Sequence, residues 1–71
     1  MIEVGLREGD DYITLGQLLK KAGAVSSGVE AKIRIQDGEA SVNGEKDDRR
    51  GRKLYEGDKV DFDGETYLVT R

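Results

Sequence analysis

The stretch TLGQLLKKAG, residues 14 to 23, allows little other than a short helix. Leu15, Leu18, Leu19 and Ala22 fall at i, i+3, i+4 and i+7, a single apolar stripe at helical period. Thr14 followed by Gln17 has the spacing of a capping box, and Gly23 stands where a left-handed residue ends a helix. Lys20 and Lys21 fall off the stripe, toward solvent or a ligand. The helix needs a partner surface, because a core drawn from 71 residues stabilises the fold by only roughly 3 to 5 kcal/mol.

The next segment, SSGVEAKIRIQDG at 26 to 38, gives conflicting signals. Val29, Ala31, Ile33 and Ile35 alternate with polar residues as in a half-buried strand. Ser27 and Glu30, however, have capping-box spacing, Glu30 and Arg34 form a favourable i, i+4 pair, and Gly38 sits at a helix-stop position. Local signals leave both structures open. Beyond Gly38 the texture is that of short strands separated by turns, Asn43-Gly44, Gly57-Asp58 and Asp63-Gly64. A two-residue turn at Asp63-Gly64 pairs Val60 with Tyr67. The residues IEVGL at 2 to 6 supply a further strand, and the layout is α+β without repeats or low-complexity linkers.

Composition narrows function. With no cysteine and no histidine, the chain has no disulfide, no thiolate metal site and no imidazole base, so neither catalysis nor a metal or cofactor is expected. The alternating acids Asp61 and Asp63 fit a solvated strand edge better than an acid–base pair. No apolar run approaches the roughly 18 residues of a membrane span, and the first residues lack the pattern of a signal peptide; a cytoplasmic protein is expected.

The net charge of −3 is uneven: residues 1 to 11 carry −3, residues 12 to 53 carry +3, and residues 54 to 71 carry −3. Arg49, Arg50, Arg52 and Lys53 lie within five positions, bracketed by acids. A basic segment in an acidic frame directs one face toward polyanions. Asp47 and Asp48 either restrain these arginines or are ordinary soluble loop residues, and Gly51 either lets the backbone turn there or is a plain loop glycine. Among the aromatics, Phe62 and Tyr67 are expected in the core. Tyr12, Tyr55 and Phe62 have the chemistry to stack on bases, but only Tyr55, beside the cluster, is assigned to a ligand.

The pattern resembles the RNA-binding domain named after ribosomal small-subunit protein four, whose two-helix and hairpin unit is called the alpha-L motif. The matching residues are Ser27, Ala31 and Lys32, Gly38, Val42-Asn43-Gly44, and Gly57-Asp58 with Val60, over about residues 14 to 62. The stretch NGE...RRGRKL.EGD is also similar to the short stand-alone bacterial members, the YaaA-like and YbcJ-like proteins. The family usually opens helix one with Arg-Leu-Asp and places Arg after the helix-two serine, where this chain has Thr14-Leu15-Gly16 and Gly28. Two basic contacts are absent, and the RRGRK cluster is a conjectured replacement.

The resemblance implies one domain over residues 1 to 71: an N-terminal strand, two packed helices, then a small antiparallel sheet with a C-terminal hairpin. It implies a helix at 27 to 37, in which Lys32 and Arg34 point about 200° apart. Lys32 occupies the family's basic position, and Arg34 is the ion-pair partner of Glu30. The implied function is non-catalytic binding of structured RNA, with ribosomal RNA first by analogy, through Lys32, Arg49, Arg50, Arg52, Lys53, Lys20, Lys21 and Tyr55. The competing reading is a β-grasp protein-interaction module without carrier chemistry, which a strand at 29 to 35 favours.

Overall fold

The computed structural model describes residues 1 to 71. Its elements are β1 (Ile2–Gly5), β2 (Ile13–Thr14), α1 (Leu15–Lys21), α2 (Gly28–Gln36), β3 (Ala40–Val42), β4 (Glu45–Lys46), β5 (Lys53–Leu54), β6 (Lys59–Phe62) and β7 (Glu65–Thr70).

Helix α1 forms as its caps dictate. The Thr14 hydroxyl accepts from the Gln17 amide at 3.3 Å, and the Gln17 side chain accepts from the Thr14 amide at 3.1 Å. Leu15, Leu18 and Leu19 are fully buried.

The ambiguous segment is helical. Ser27 accepts from the Glu30 amide at 3.1 Å, but the Glu30 carboxylate reaches past the cap to Ser26, taking its amide and its hydroxyl at 2.8 Å each. Those bonds, the backbone one first, lower the Glu30 pKa. The alternation that suggested a strand divides between two faces, since residues two apart on a helix are about 200° apart. Ala31 and Ile35 enter the core, while Val29 and Ile33 remain exposed on the far side. A helix here removes the strand that would have favoured the β-grasp reading.

The five-stranded sheet has the order β1-β7-β6-β3-β4. The strands after the helices pair antiparallel as expected, and β1, for which the sequence specified no partner, joins β7 in parallel, from Ile2 opposite Tyr67 to Gly5 opposite Thr70. Both helices and five strands intervene along the chain between those two, so β1 returns to the sheet by a crossover rather than a hairpin. A separate two-stranded ribbon pairs β2 with β5, Ile13 opposite Leu54 and Thr14 opposite Lys53. Strands of two residues are too short to leave an alternation signal.

The hairpins follow their turn residues. Asn43 and Gly44 have φ of 51° and 86°, Asp63 and Gly64 55° and 80°, the doubly left-handed geometry of a type I′ turn. Val60 stands opposite Tyr67, as the turn position requires. Gly64→Val is expected to cost about 1 kcal/mol or more through backbone strain alone, because a Cβ there meets nothing within 4 Å. An unchanged urea midpoint would refute this.

The core lies between the helices and one face of the sheet, with Leu15, Leu18, Leu19, Ile35, Leu54, Val60, Phe62 and Val69 nearly or fully inaccessible. Phe62 and Tyr67 are both core residues. No helix is long and apolar enough to cross a membrane.

Candidate nucleic-acid interface

The basic loop is built around one buried acid. Asp47 is only 7% exposed, with its amide bonded to the Ala40 carbonyl at 3.1 Å. Its Oδ1 accepts from the Arg49 amide at 2.9 Å and from Arg49 Nε at 3.0 Å, and its Oδ2 accepts from Arg49 Nη2 at 2.8 Å and Arg52 Nη1 at 2.6 Å. The Arg49 guanidinium, followed by its amide and Arg52, holds the Asp47 carboxyl well below the usual carboxylate range, although burial opposes the shift. Of the two alternatives for Asp47 and Asp48, restraint describes Asp47, whereas Asp48 is exposed.

The same loop closes the start of α1. The Leu15 amide donates to the Arg52 carbonyl at 2.9 Å and the Gly16 amide to the Arg50 carbonyl at 3.0 Å. With the Thr14 bond to Gln17, the first three amides of the helix are satisfied by protein groups. Arg50 then lies across α1 at Gly16, where an added Cβ would stand 2.6 Å from Arg50 Cγ and 3.5 Å from the Arg50 carbonyl. The departure from the family pattern at Gly16 therefore makes room for a cation supplied by the loop. Gly51 has no left-handed φ, so the turn does not depend on it, and a Cβ there would meet nothing.

Arg50, Gly51, Gly16, Lys20 and Gly28 border one shallow cleft of about 270 Å³ between the two helices and the loop. Lys20 is exposed and also borders a second cleft, on the other side of α1. Lys21 is exposed and donates to the Gly5 carbonyl at the end of β1. Lys32 is exposed one turn beyond Gly28 on α2. Lys53 and Tyr55 belong to the β2–β5 ribbon and its exit, where Lys53 Nζ lies 5.0 Å from the centre of the Tyr12 ring and Tyr55 is 50% exposed. Thus Arg50 and Lys20 share a cleft with Lys32 one turn away, Arg49 and Arg52 are tied to Asp47, and Lys53 and Tyr55 stand on the ribbon. Tyr12 is the residue that sequence reasoning left unassigned; only the ribbon register brings it beside Tyr55.

Arg34 belongs to a different network. Its guanidinium meets Glu39 at 2.8 Å, Asp63 at 2.9 Å and Glu30 at 3.5 Å, and lies 4.7 Å from the centre of the Phe62 ring. The expected pair with Glu30 is present but is the longest of three, and Asp63 is an ion-pair partner rather than a bare solvated edge. Hydrogen bonding to Glu39, then Asp63, raises the Arg34 pKa above its ordinary value. This clamp joins the end of α2 to the last hairpin.

The motif residues Asn43 and Asp58 are also structural. Asn43 Oδ1 accepts from the Lys59 amide at 3.0 Å, Asn43 Nδ2 donates to Asp58 Oδ1 at 3.1 Å, and Asp58 Oδ2 accepts from the Tyr55 amide at 2.7 Å. One turn is thereby cross-braced to the other.

A two-helix layer lies on a mixed sheet, with a clamped arginine loop laid over the first helix. The S4 domain model matches residues 6 to 70, and the chain belongs to the S4 domain family. It is 52% identical over 54 residues, 76% of each chain, to RlbA of Bacillus subtilis (strain 168), a probable ribosome maturation protein. It is similar in structure to YbcJ from E. coli, described as having an alfaL motif involved in RNA-binding. That match has a TM-score of 0.73 and 32% identity, and covers 100% of this chain and 89% of the other.

Proposed function

We propose that the protein is a non-catalytic, cytoplasmic RNA-binding module that contacts structured RNA, with a ribosomal RNA or its precursor as the first candidate. The observation that carries this reading is the loop clamped by Asp47, which lays Arg50 beside Lys20 at the cleft between the helices. Membership in the S4 domain family and the RNA-binding and ribosome-maturation descriptions of the two relatives support it. Lys32, Lys20 and Arg50, none of them in an ion pair, are the primary phosphate contacts, with Lys21 at the margin. Arg49 and Arg52 keep free N–H groups beyond those given to Asp47, so together they present one shared edge to a phosphate. Lys53 and Tyr55 extend the face along the ribbon.

Titration of a ribosomal RNA hairpin at a series of salt concentrations tests this. Five phosphate contacts, from Lys32, Lys20, Arg50, Lys53 and the shared Arg49–Arg52 edge, predict a log–log slope of magnitude about 3.5 to 4.5. Arg34→Gln is expected to lower stability and leave the slope unchanged, since its three partners are carboxylates of the protein. Salt-independent binding, or none, would sink the reading.

A further inference from the structure

The β2–β5 ribbon presents an aromatic surface outward. Ile13 packs against the core and Leu54 is buried within it, and strand alternation therefore turns Tyr12, Lys53 and Tyr55 to the opposite face. The two rings lie 6.0 Å apart at 53°, with Tyr12 40% and Tyr55 50% exposed. Beside Tyr12 opens the second cleft, of about 410 Å³, bordered by Arg7, Asp10, Gln17, Lys20 and Lys21. A cross-strand aromatic pair stabilises a ribbon by itself, but that accounts only for rings in contact. It does not account for an opening of small-ligand size beside one ring with three cations on its border.

We propose that this platform is a second binding site, for an unpaired nucleotide. The base stacks on the Tyr12–Tyr55 surface, and the adjoining phosphate is held by Lys20, Lys21 or Arg7 across the cleft. Aromatic faces accept any base in this way, and cations beside them hold the backbone. The ribbon is continuous with the arginine loop: Tyr55 lies three residues from Arg52, about 10 Å at strand spacing. Lys20 borders both clefts. Taken with the proposed function, on which this inference rests, the module recognises the point where a paired RNA element gives way to a single strand.

The test uses one RNA hairpin, blunt or with a four-adenosine tail on either end, and the free tetraadenylate. A tail is expected to tighten binding about tenfold, the range for one stacked base. Tyr12→Leu should abolish that gain while leaving the blunt hairpin's affinity and salt slope unchanged. Tyr12→Phe should retain the gain, which separates loss of stacking from loss of fold. In NMR spectra, tetraadenylate should shift the ring resonances of Tyr12 and Tyr55 ahead of those of Tyr67, which is buried. If the hairpin binds but tails add nothing and the rings do not move, the platform is overturned and the proposed function stands. If tetraadenylate moves the rings while no hairpin binds, the stacking site stands and the structured-RNA reading falls.

Discussion

A protein carrying Lys20→Gln, Lys32→Gln and Arg50→Gln together should bind structured RNA on the order of a hundredfold more weakly at 0.15 M salt, with its log–log salt slope flattened by about 2 to 3 units. Each lost contact removes a little under one released counterion, and three contacts acting at that salt give the hundredfold. The fold should be unaffected, because these three side chains enter no ion pair and lie outside the core. Removing Arg49, Arg50 and Arg52 instead would confound the result, since it leaves the buried Asp47 carboxylate without its guanidinium partners. That dependence was not evident from composition, which made all three look like solvent-facing charge. Unaltered affinity and slope in the first variant would show that the cleft does not face phosphate.

Asp47→Asn should lower unfolding stability by about 1 to 2 kcal/mol. Charge-assisted hydrogen bonds are worth about 1.5 to 3 kcal/mol when well formed, and Arg49, 66% exposed, places this site toward the lower end. The pH dependence has a definite sign. Asp47 has a folded pKa below its unfolded value of about 3.9, so its contribution is complete above that value and lost as pH falls through the folded one. The stability difference between parent and variant should therefore be constant from pH 7 to about pH 5 and shrink only in strong acid. Urea unfolding across that series decides it, and a difference already gone at pH 5 would contradict the clamp.

The legible parts of the fold were those written within a few residues. Thr14 with Gln17, and Asp63-Gly64 between alternating runs, each determine a local geometry that tertiary packing merely uses. The segment at 28 to 36 was ambiguous for a physical reason: its apolar residues serve two environments, with Ala31 and Ile35 inside and Val29 and Ile33 outside, and a strand-like alternation is what such a helix produces. The resemblance resolved it because Ser27, Lys32 and Asn43-Gly44 carry information about spacing that periodicity lacks.

The basic loop was legible as charge but not as arrangement. That Arg49 and Arg52 share one acid, and that Arg50 passes over Gly16, depends on how the loop folds back onto α1. Tyr12 was obscured because strands of two residues leave no pattern, and its neighbour lies 43 positions later.

The parallel pairing of β1 with β7 also bears on how the chain reaches this state. Its partners are separated by about the whole length of the molecule, the costliest kind of loop for a chain to close. The helices, the loop and the two hairpins can each form from near neighbours, whereas β1 has no sheet partner until residue 70 is available. The first strand is therefore expected to dock last, covering Val4 and completing the core only once β7 has formed. Substitutions at Val4 should accordingly speed unfolding and leave the refolding rate nearly unchanged, as stopped-flow chevrons would register.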